Sequence, residues 1–395
     1  MRQLVEKSIL KINKVSKSFK RSLYAKINRN AQLIAIKGAR GTGKTTLLLQ
    51  LGAEQKSKDV LYVALDDLFF SENTLYSLAE QFNRHGGKLL LLDEVHKYPN
   101  WSRELKLIYD DFSALQVIFT SSSILDIYKG ESDLSRRAIS YTLSELSFRE
   151  YLALYEDIHI TNFSFDEIIT NHSEISLQLI KEFSPFKYFS SYLEYGNYPY
   201  YEGDKAEYYQ KIRNTVNLIL DVDIQAIENV DYNSIVKIKR LLYVLSSNVP
   251  FTPNINKLSE QIQLNRNALV RALQLLSKAE LIHTLYKKTR SISTLNKPDK
   301  IWMHNTNLMY AISDNSIEIG NIRETFFLQN IAQGHSVSIP KQGDILVDHK
   351  YLFEIGGKNK SQRQIEGVEN AFLVKDDIEL GVLNTIPLWL FGFLY

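Results

Sequence analysis

Leu33, Ile34, Ala35 and Ile36 form an unbroken apolar run of the length expected for a buried strand, and "KTTLLLQLGAE" then switches to helix formers. The alternation recurs along the first 146 residues. "DVLYVALDD" (59–67), the leucines from Leu89 to Leu92, and "LQVIFTSSS" (115–123) are further apolar runs, while "AISYTLSEL" (138–146) alternates apolar with polar positions. Strands interleaved with helical stretches predict an α/β domain built on a doubly wound parallel sheet. From 150 to 235 the pattern turns helical and rich in aromatics, as in "FSPFKYFSSYLEYGNYPYYEGDKAEYYQKI". From 241 to 290 it changes again. Leu258, Ile262 and Leu264 pattern a short helix and turn, and Asn265 is placed to cap a second helix with Leu269, Ala272, Leu273, Leu275 and Leu276 on its apolar side. "AELIHTLYKKTR" follows as a strand and a basic hairpin, which completes the pattern of a winged helix-turn-helix. The last hundred residues read strand-rich.

Composition narrows the function classes. At 395 residues the chain is long for a single core. Zero cysteines exclude a disulfide scaffold, a thiolate metal site and thiol catalysis. The longest apolar candidates, such as "LWLFGFLY" near the C-terminus, are about strand length, so no membrane span is expected. The basic start "MRQLVEKSILKINKVSKSF" is interrupted too often by lysine for a signal peptide, and a cytoplasmic protein is the expectation. A formal charge of +2 does not by itself imply nucleic acid. Its distribution is uneven: residues 1–30 and 257–300 are basic and 145–232 are acid-rich. Solvated helix faces and a polyanion-binding surface both fit that distribution.

Between the first strand and its helix stands "GARGTGKTT", which fits G-x-x-x-x-G-K-[ST] with Gly38, Gly43, Lys44 and Thr45 at the defining positions. A loop that wraps a phosphate must turn consecutive backbone N–H groups inward, which needs glycine dihedrals and an absence of side chains. The following helix adds unpaired N–H groups and the positive end of its dipole. Residues Gly38, Ala39, Arg40, Gly41, Thr42, Gly43, Lys44, Thr45 and Thr46 are therefore the expected nucleotide-binding set. Lys44 is expected at the β- and γ-phosphates and the Thr45 hydroxyl on Mg²⁺.

"KLLLLDEVHKYPNW" supplies the acids such a loop needs: Asp93 at a strand end to hold the metal, and Glu94 beside it to polarise an attacking water. Thr120 and Ser122, after the next strand, are sensor candidates for the γ-phosphate, although a hydroxyl run there also makes an ordinary turn. Arg136 and Arg137 precede the last strand on an expected surface loop, where an arginine can reach a neighbouring subunit's nucleotide or serve only as surface charge. His96 has no partner at ligand spacing and reads as a packing or hydrogen-bonding histidine. In the predicted winged helix, Arg266, Asn267, Arg271 and Gln274 on the second helix and Lys287, Lys288 and Arg290 in the wing are of types that bond bases and phosphates. Contact with double-stranded DNA and a packing or oligomerisation role both remain open for this module.

Taken in order, "IKGARGTGKTTLLLQL", "LLLLDEVHKYPNWSRELKLIYD", "VIFTSSS" and "LSELSFREYL" resemble the AAA+ ATPases, and more closely the prokaryotic AAA+ ATPases that carry an uncharacterised C-terminal domain related to restriction endonucleases. "YLEYGNYPYY" and the last third resemble the same family. Where that family usually reads TGSS, Ser121 replaces the glycine, and Arg136-Arg137 replaces its usual Gly-Arg, which makes Arg137 the candidate trans-acting arginine of a homo-oligomer. The resemblance implies ATP and Mg²⁺ as ligands and a basic helical N-terminal segment (1–30). It further implies an ATPase core (31–160), a helical lid (161–235), a winged helix (236–295) and an α+β endonuclease-like domain (296–395). For that last domain it implies a metal site from Glu324, Asp344 and Glu354, with a lysine two residues after Glu354. Gly356 stands there instead, and Lys358 is the nearest following lysine, so the site reads as degenerate.

Overall fold

A computed structural model describes the chain apart from residues 122–133, 135, 225–229, 248, 288–296 and 314–316. Ser122, Lys288 and Arg290 therefore lie outside the described residues. The chain divides into two compact units, Met1–Glu145 and Leu146–Tyr395.

The first unit is an open sheet of five strands, β1 (Leu33–Lys37), β2 (Val60–Ala64), β3 (Leu89–Asp93), β4 (Gln116–Thr120) and β5 (Ala138–Thr142), in the order β2-β3-β4-β1-β5. All four pairings are parallel. Alternation along the strands sorts the core into two faces. Leu33, Ala35, Leu90, Leu92, Val117 and Phe119 pack on one face with Leu75 and Leu78 from helix α4 (Leu75–Arg84) and Leu105 and Ile108 from α5 (Trp101–Asp111). Ile34, Ile36, Leu89, Leu91 and Ile118 pack on the other with Leu47, Leu48 and Leu51 from α3 (Lys44–Gly52). A sheet covered on both faces is what allows strands with almost no polar positions.

The basic N-terminal segment folds into this unit. Its helix α1 (Arg2–Lys14) buries Leu4, Ser8 and Ile12, and the Ser8 hydroxyl accepts from the Tyr62 backbone N–H at 2.8 Å. Tyr62 lies on the edge strand β2, so the helix both covers the edge and satisfies one of its donors. A one-turn helix α2 (Leu23–Lys26) follows.

The second unit opens with helices Phe148–Tyr155, Phe165–Glu182, Pro185–Tyr195 and Lys205–Leu218. The first two begin with full capping boxes at Ser147 and Ser164. Further along, helix Ile255–Ile262 ends at Gln263 in the left-handed region, and Asn265 caps helix Arg266–Lys278 by accepting from the Ala268 N–H. Strands β6 (Ile282–Leu285) and β7 (Lys300–Met303) then pair antiparallel. Five short strands make a second, mixed sheet: β8 (Val337–Ser338), β9 (Ile345–Val347), β10 (Tyr351–Gly356), β11 (Ala371–Lys375) and β12 (Thr385–Pro387), ordered β12-β11-β10-β9-β8. Helix Ile319–Ile331 is buried along most of its length, and the "LWLFGF" run at Leu388–Phe393 is a buried 3₁₀ helix.

Candidate nucleotide site

In the first unit the sheet order reverses next to β1, and the carboxyl ends of β1, β4 and β3 lie side by side. This is where an open α/β sheet presents a crevice for a ligand. The loop after β1 depends on its glycines. Gly38, Gly41 and Gly43 have φ of 142°, 86° and 96°, and a Cβ on Gly38 would stand 2.1 Å from the Leu143 carbonyl oxygen. Gly43 ends the loop as the N-cap of α3, so Lys44 and Thr45 occupy the helix's first turn, where the backbone N–H groups are unpaired within the helix. Thr42 is buried and its hydroxyl donates to the Ala39 carbonyl at 3.0 Å. Lys44 is buried too, donating from Nζ to the carbonyls of Gly38 (2.8 Å) and Ala39 (2.6 Å). Thr46 is exposed.

Asp93, the last residue of β3, collects hydroxyls. Thr45 Oγ1 and Tyr62 OH each donate to Oδ2 at 2.8 Å, and Thr120 Oγ1 donates to Oδ1. Among the described residues no cationic side chain pairs with Asp93. A threonine hydroxyl and a carboxylate in contact beside a glycine loop are hard oxygen donors of the kind Mg²⁺ takes, and they fit that ion. Burial, reinforced by Asp93, pushes the Tyr62 hydroxyl far up, so it stays protonated and can only orient the acid by donating.

Glu94 follows with φ of 55°, a left-handed conformation that costs energy in any residue with a Cβ. Its backbone N–H donates to Thr120 Oγ1 at 3.3 Å. Thr120 thus bridges the two acids. Burial pushes the Glu94 carboxyl up, with the Arg40 charge opposing and Asp93 adding to the rise. His96 Nδ1 lies 2.9 Å from the Ser121 hydroxyl, the position where the family pattern has glycine. Arg137 makes a two-pronged contact with Asp110, at 2.9 and 3.0 Å, on the face of the Tyr109 ring, while Arg136 is exposed.

Two residues of this neighbourhood escape the sequence reading. Tyr62 is one. The other is Arg21, buried to 7% exposure, which donates to the carbonyls of Thr42 (2.6 Å), Ser144 (2.7 Å) and Glu145 (3.0 Å), tying the loop to the segment after β5.

Two other groups of expected residues lie in the second unit. On helix Arg266–Lys278, Arg266, Asn267 and Arg271 are exposed and Gln274 is half-buried, with Arg271 Nη1 3.4 Å from Gln274 Oε1. Lys287 is exposed beyond β6. In the mixed sheet, Glu354 of β10 is fully buried and pairs with Lys360 at 2.5 Å. The Gln364 amide, turned to donate, reaches both of its oxygens at 2.9 and 3.1 Å. The Lys358 backbone carbonyl accepts from Lys375 Nζ. Gly356 leaves room for this arrangement, since a Cβ there would meet the Lys360 stem at 2.6 Å. Asp344 Oδ2 accepts from the Ile355 N–H, and Glu324 from Trp302 Nε1. Burial, with Asp344 adding to it, pushes Glu324 up to about 7. Among the described residues no group of three or more His, Asp or Glu side chains is arranged to hold a metal ion.

Comparison with known proteins places residues 30–152 on the model of the AAA domain and residues 186–318 on that of a domain of unknown function, DUF8612. An uncharacterized protein of Methanocaldococcus jannaschii is 28% identical over 377 residues, spanning 86% of this chain and 78% of its own length. Among solved structures, the Walker-type ATPase PABY2304 of Pyrococcus abyssi aligns over 74% of this chain and 95% of its own at 11% identity and a TM-score of 0.41. AMPPCP-bound DnaA from Aquifex aeolicus aligns over 65% and 86% at 20% identity (TM-score 0.29), and Aeropyrum pernix ORC1 in complex with DNA over 77% and 91% at 9% identity (TM-score 0.32). The first unit has the AAA-type P-loop ATPase fold. No helix among the described residues is long and apolar enough to cross a membrane.

Proposed function

We propose that this chain is a Mg²⁺-dependent ATPase of AAA type that acts as a molecular switch in the cytoplasm, its nucleotide state governing contact with double-stranded DNA through a winged helix in the second unit. The observation that carries the reading is the contact of Thr45 Oγ1 with Asp93 Oδ2 at 2.8 Å, beside a glycine loop that buries Lys44. In this reading the loop amides and Lys44 hold the β- and γ-phosphates. Thr45 and Asp93 hold Mg²⁺, which when bound would neutralise phosphate charge. Glu94 orients a water for in-line attack and takes its proton. Thr120, bonded to both acids, keeps their relative placement rather than reaching a phosphate on its own. Arg137 is the trans-acting candidate, and to serve a neighbouring subunit it has to exchange Asp110 for a phosphate.

The DNA-contacting role rests on the exposed Arg266, Asn267 and Arg271, carried on a helix that follows a tight turn and precedes an antiparallel strand pair. The mixed sheet is read as a scaffold without nuclease activity, because Glu354 is already compensated by Lys360 and Gln364. The test is phosphate release with purified full-length protein. Wild type should hydrolyse ATP only with Mg²⁺, and Glu94→Gln should lower kcat by about 100-fold or more while retaining ATP. Retention of wild-type hydrolysis by Glu94→Gln would remove the assigned base.

A further inference from the structure

The phosphate loop carries two cations, and they are held differently. Lys44 rests on carbonyls of its own loop, whereas Arg40 approaches Glu94, with Nη2 3.5 Å from Oε2 and the two side chains only 11% and 16% exposed. Two other nitrogens approach the same oxygen, His96 Nε2 and Lys97 Nζ, each at 3.6 Å. Lys97 is shared with Asp66 at 3.0 Å, and His96 is bonded to Ser121 through its other nitrogen. Arg40 alone of the three belongs to the loop. Glu94 Oε2 is buried and, among the described residues, receives no hydrogen bond, so charge at a distance holds it rather than a directed bond. A contact of that kind exchanges readily for a better one. A guanidinium gains more from a terminal phosphate, which offers several oxygens and about two negative charges at fork geometry, than from a single carboxylate oxygen at long range.

We propose that Arg40 is a positioning residue that clamps Glu94 in the nucleotide-free site and transfers to the terminal phosphate when a nucleoside triphosphate binds, leaving Glu94 to face water only then. The inference rests on the ATP-hydrolysing reading and adds to it a means of distinguishing triphosphate from diphosphate. A diphosphate brings only its β-phosphate to the loop amides and Lys44, offers no γ-phosphate to Arg40, and leaves the clamp closed. Glu94 thereby competes with the triphosphate for Arg40, and triphosphate affinity is lower than the loop alone would give.

The experiment titrates full-length wild type, Arg40→Ala, Arg40→Lys, Glu94→Gln and the Arg40→Ala/Glu94→Gln double variant with ADP and with the non-hydrolysable β,γ-methylene ATP analogue, in Mg²⁺, by calorimetry. Loss of Arg40 should weaken the analogue about 10- to 100-fold, the range for a charged hydrogen bond, and ADP less than about twofold. Arg40→Lys, which keeps the charge, should recover part of the analogue affinity. Glu94→Gln should tighten the analogue about threefold by removing the competitor, and that gain should vanish in the double variant. Equal losses for ADP and analogue, or the same Glu94→Gln effect with and without Arg40, would overturn the clamp while leaving the ATPase reading intact. Absence of any nucleotide binding by wild type would instead remove the ATPase reading, and the clamp with it.

Discussion

At the end of β3, Asp93 receives hydroxyls from Thr45, Tyr62 and Thr120 and, among the described residues, has no cationic partner. In β10 of the second unit, Glu354 is as deeply buried but meets Lys360 and the Gln364 amide. Both are carboxylates near strand ends with a lysine close in sequence or space, and their partners set them apart. Hydroxyls orient a carboxylate without compensating its charge, which leaves compensation to an incoming cation. An ammonium at 2.5 Å has already supplied it. The first arrangement suits a site that takes metal and phosphate together; the second suits a buried ion pair that fixes local structure.

Breaking each lysine sharpens the contrast. Lys44→Ala should abolish measurable ATP affinity while leaving the melting temperature of the protein near wild type, read by calorimetric titration and a thermal melt. Lys360→Ala should do the reverse. It strands a buried carboxylate and should cost about 3–5 kcal/mol of stability by chemical denaturation, whereas Lys358→Ala should stay within about 0.5 kcal/mol. Equal effects of the two substitutions would show that Lys360 does not compensate Glu354.

The acid next to that pair supplies a pH test. The folded-state value of Glu324, about 7, lies above the ordinary carboxyl value of 4.5, so the folded chain binds the extra proton between those limits. Stability from this group is therefore full below about pH 4.5 and is lost as pH rises through 7, by up to about 3 kcal/mol. Glu324→Gln should flatten that limb in denaturation curves taken from pH 5 to 8. An unchanged slope would mean the carboxyl is not held in the buried setting described. The smallest effect expected is at the exposed helix: Arg271→Ala should weaken DNA binding a few-fold and reduce the salt slope by about one, if that arginine meets a phosphate.

The loop was legible in sequence because its geometry is set within eight residues, where Gly38, Gly43, Lys44 and Thr45 each answer a local demand of backbone or charge. Asp93 was legible because four leucines point to it. Tyr62 was not. Its contact with Asp93 depends on β2 lying beside β3, with Ala64 opposite Asp93, and strand adjacency is not written in either segment. Arg21 was hidden among eight other basic residues in the first thirty, and only its burial distinguishes it. Lys360 reaches Glu354 across a turn in which its own N–H bonds the Gly357 carbonyl, so counting two residues along an ideal strand points to Gly356 and then to Lys358. Local motifs carry their own geometry; contacts made across turns and between strands do not.

The loop at Gly38–Thr45 and the acids at Asp93 and Glu94 are proposed to form one pocket for magnesium and a nucleoside triphosphate. Calorimetric titration of full-length Glu94→Gln with ATP, in magnesium and again in excess chelator, tests it most directly. Saturable one-to-one binding that weakens at least about tenfold when the metal is removed is the expected result. Heat indistinguishable from dilution in both conditions, from protein shown to be folded, would contradict it.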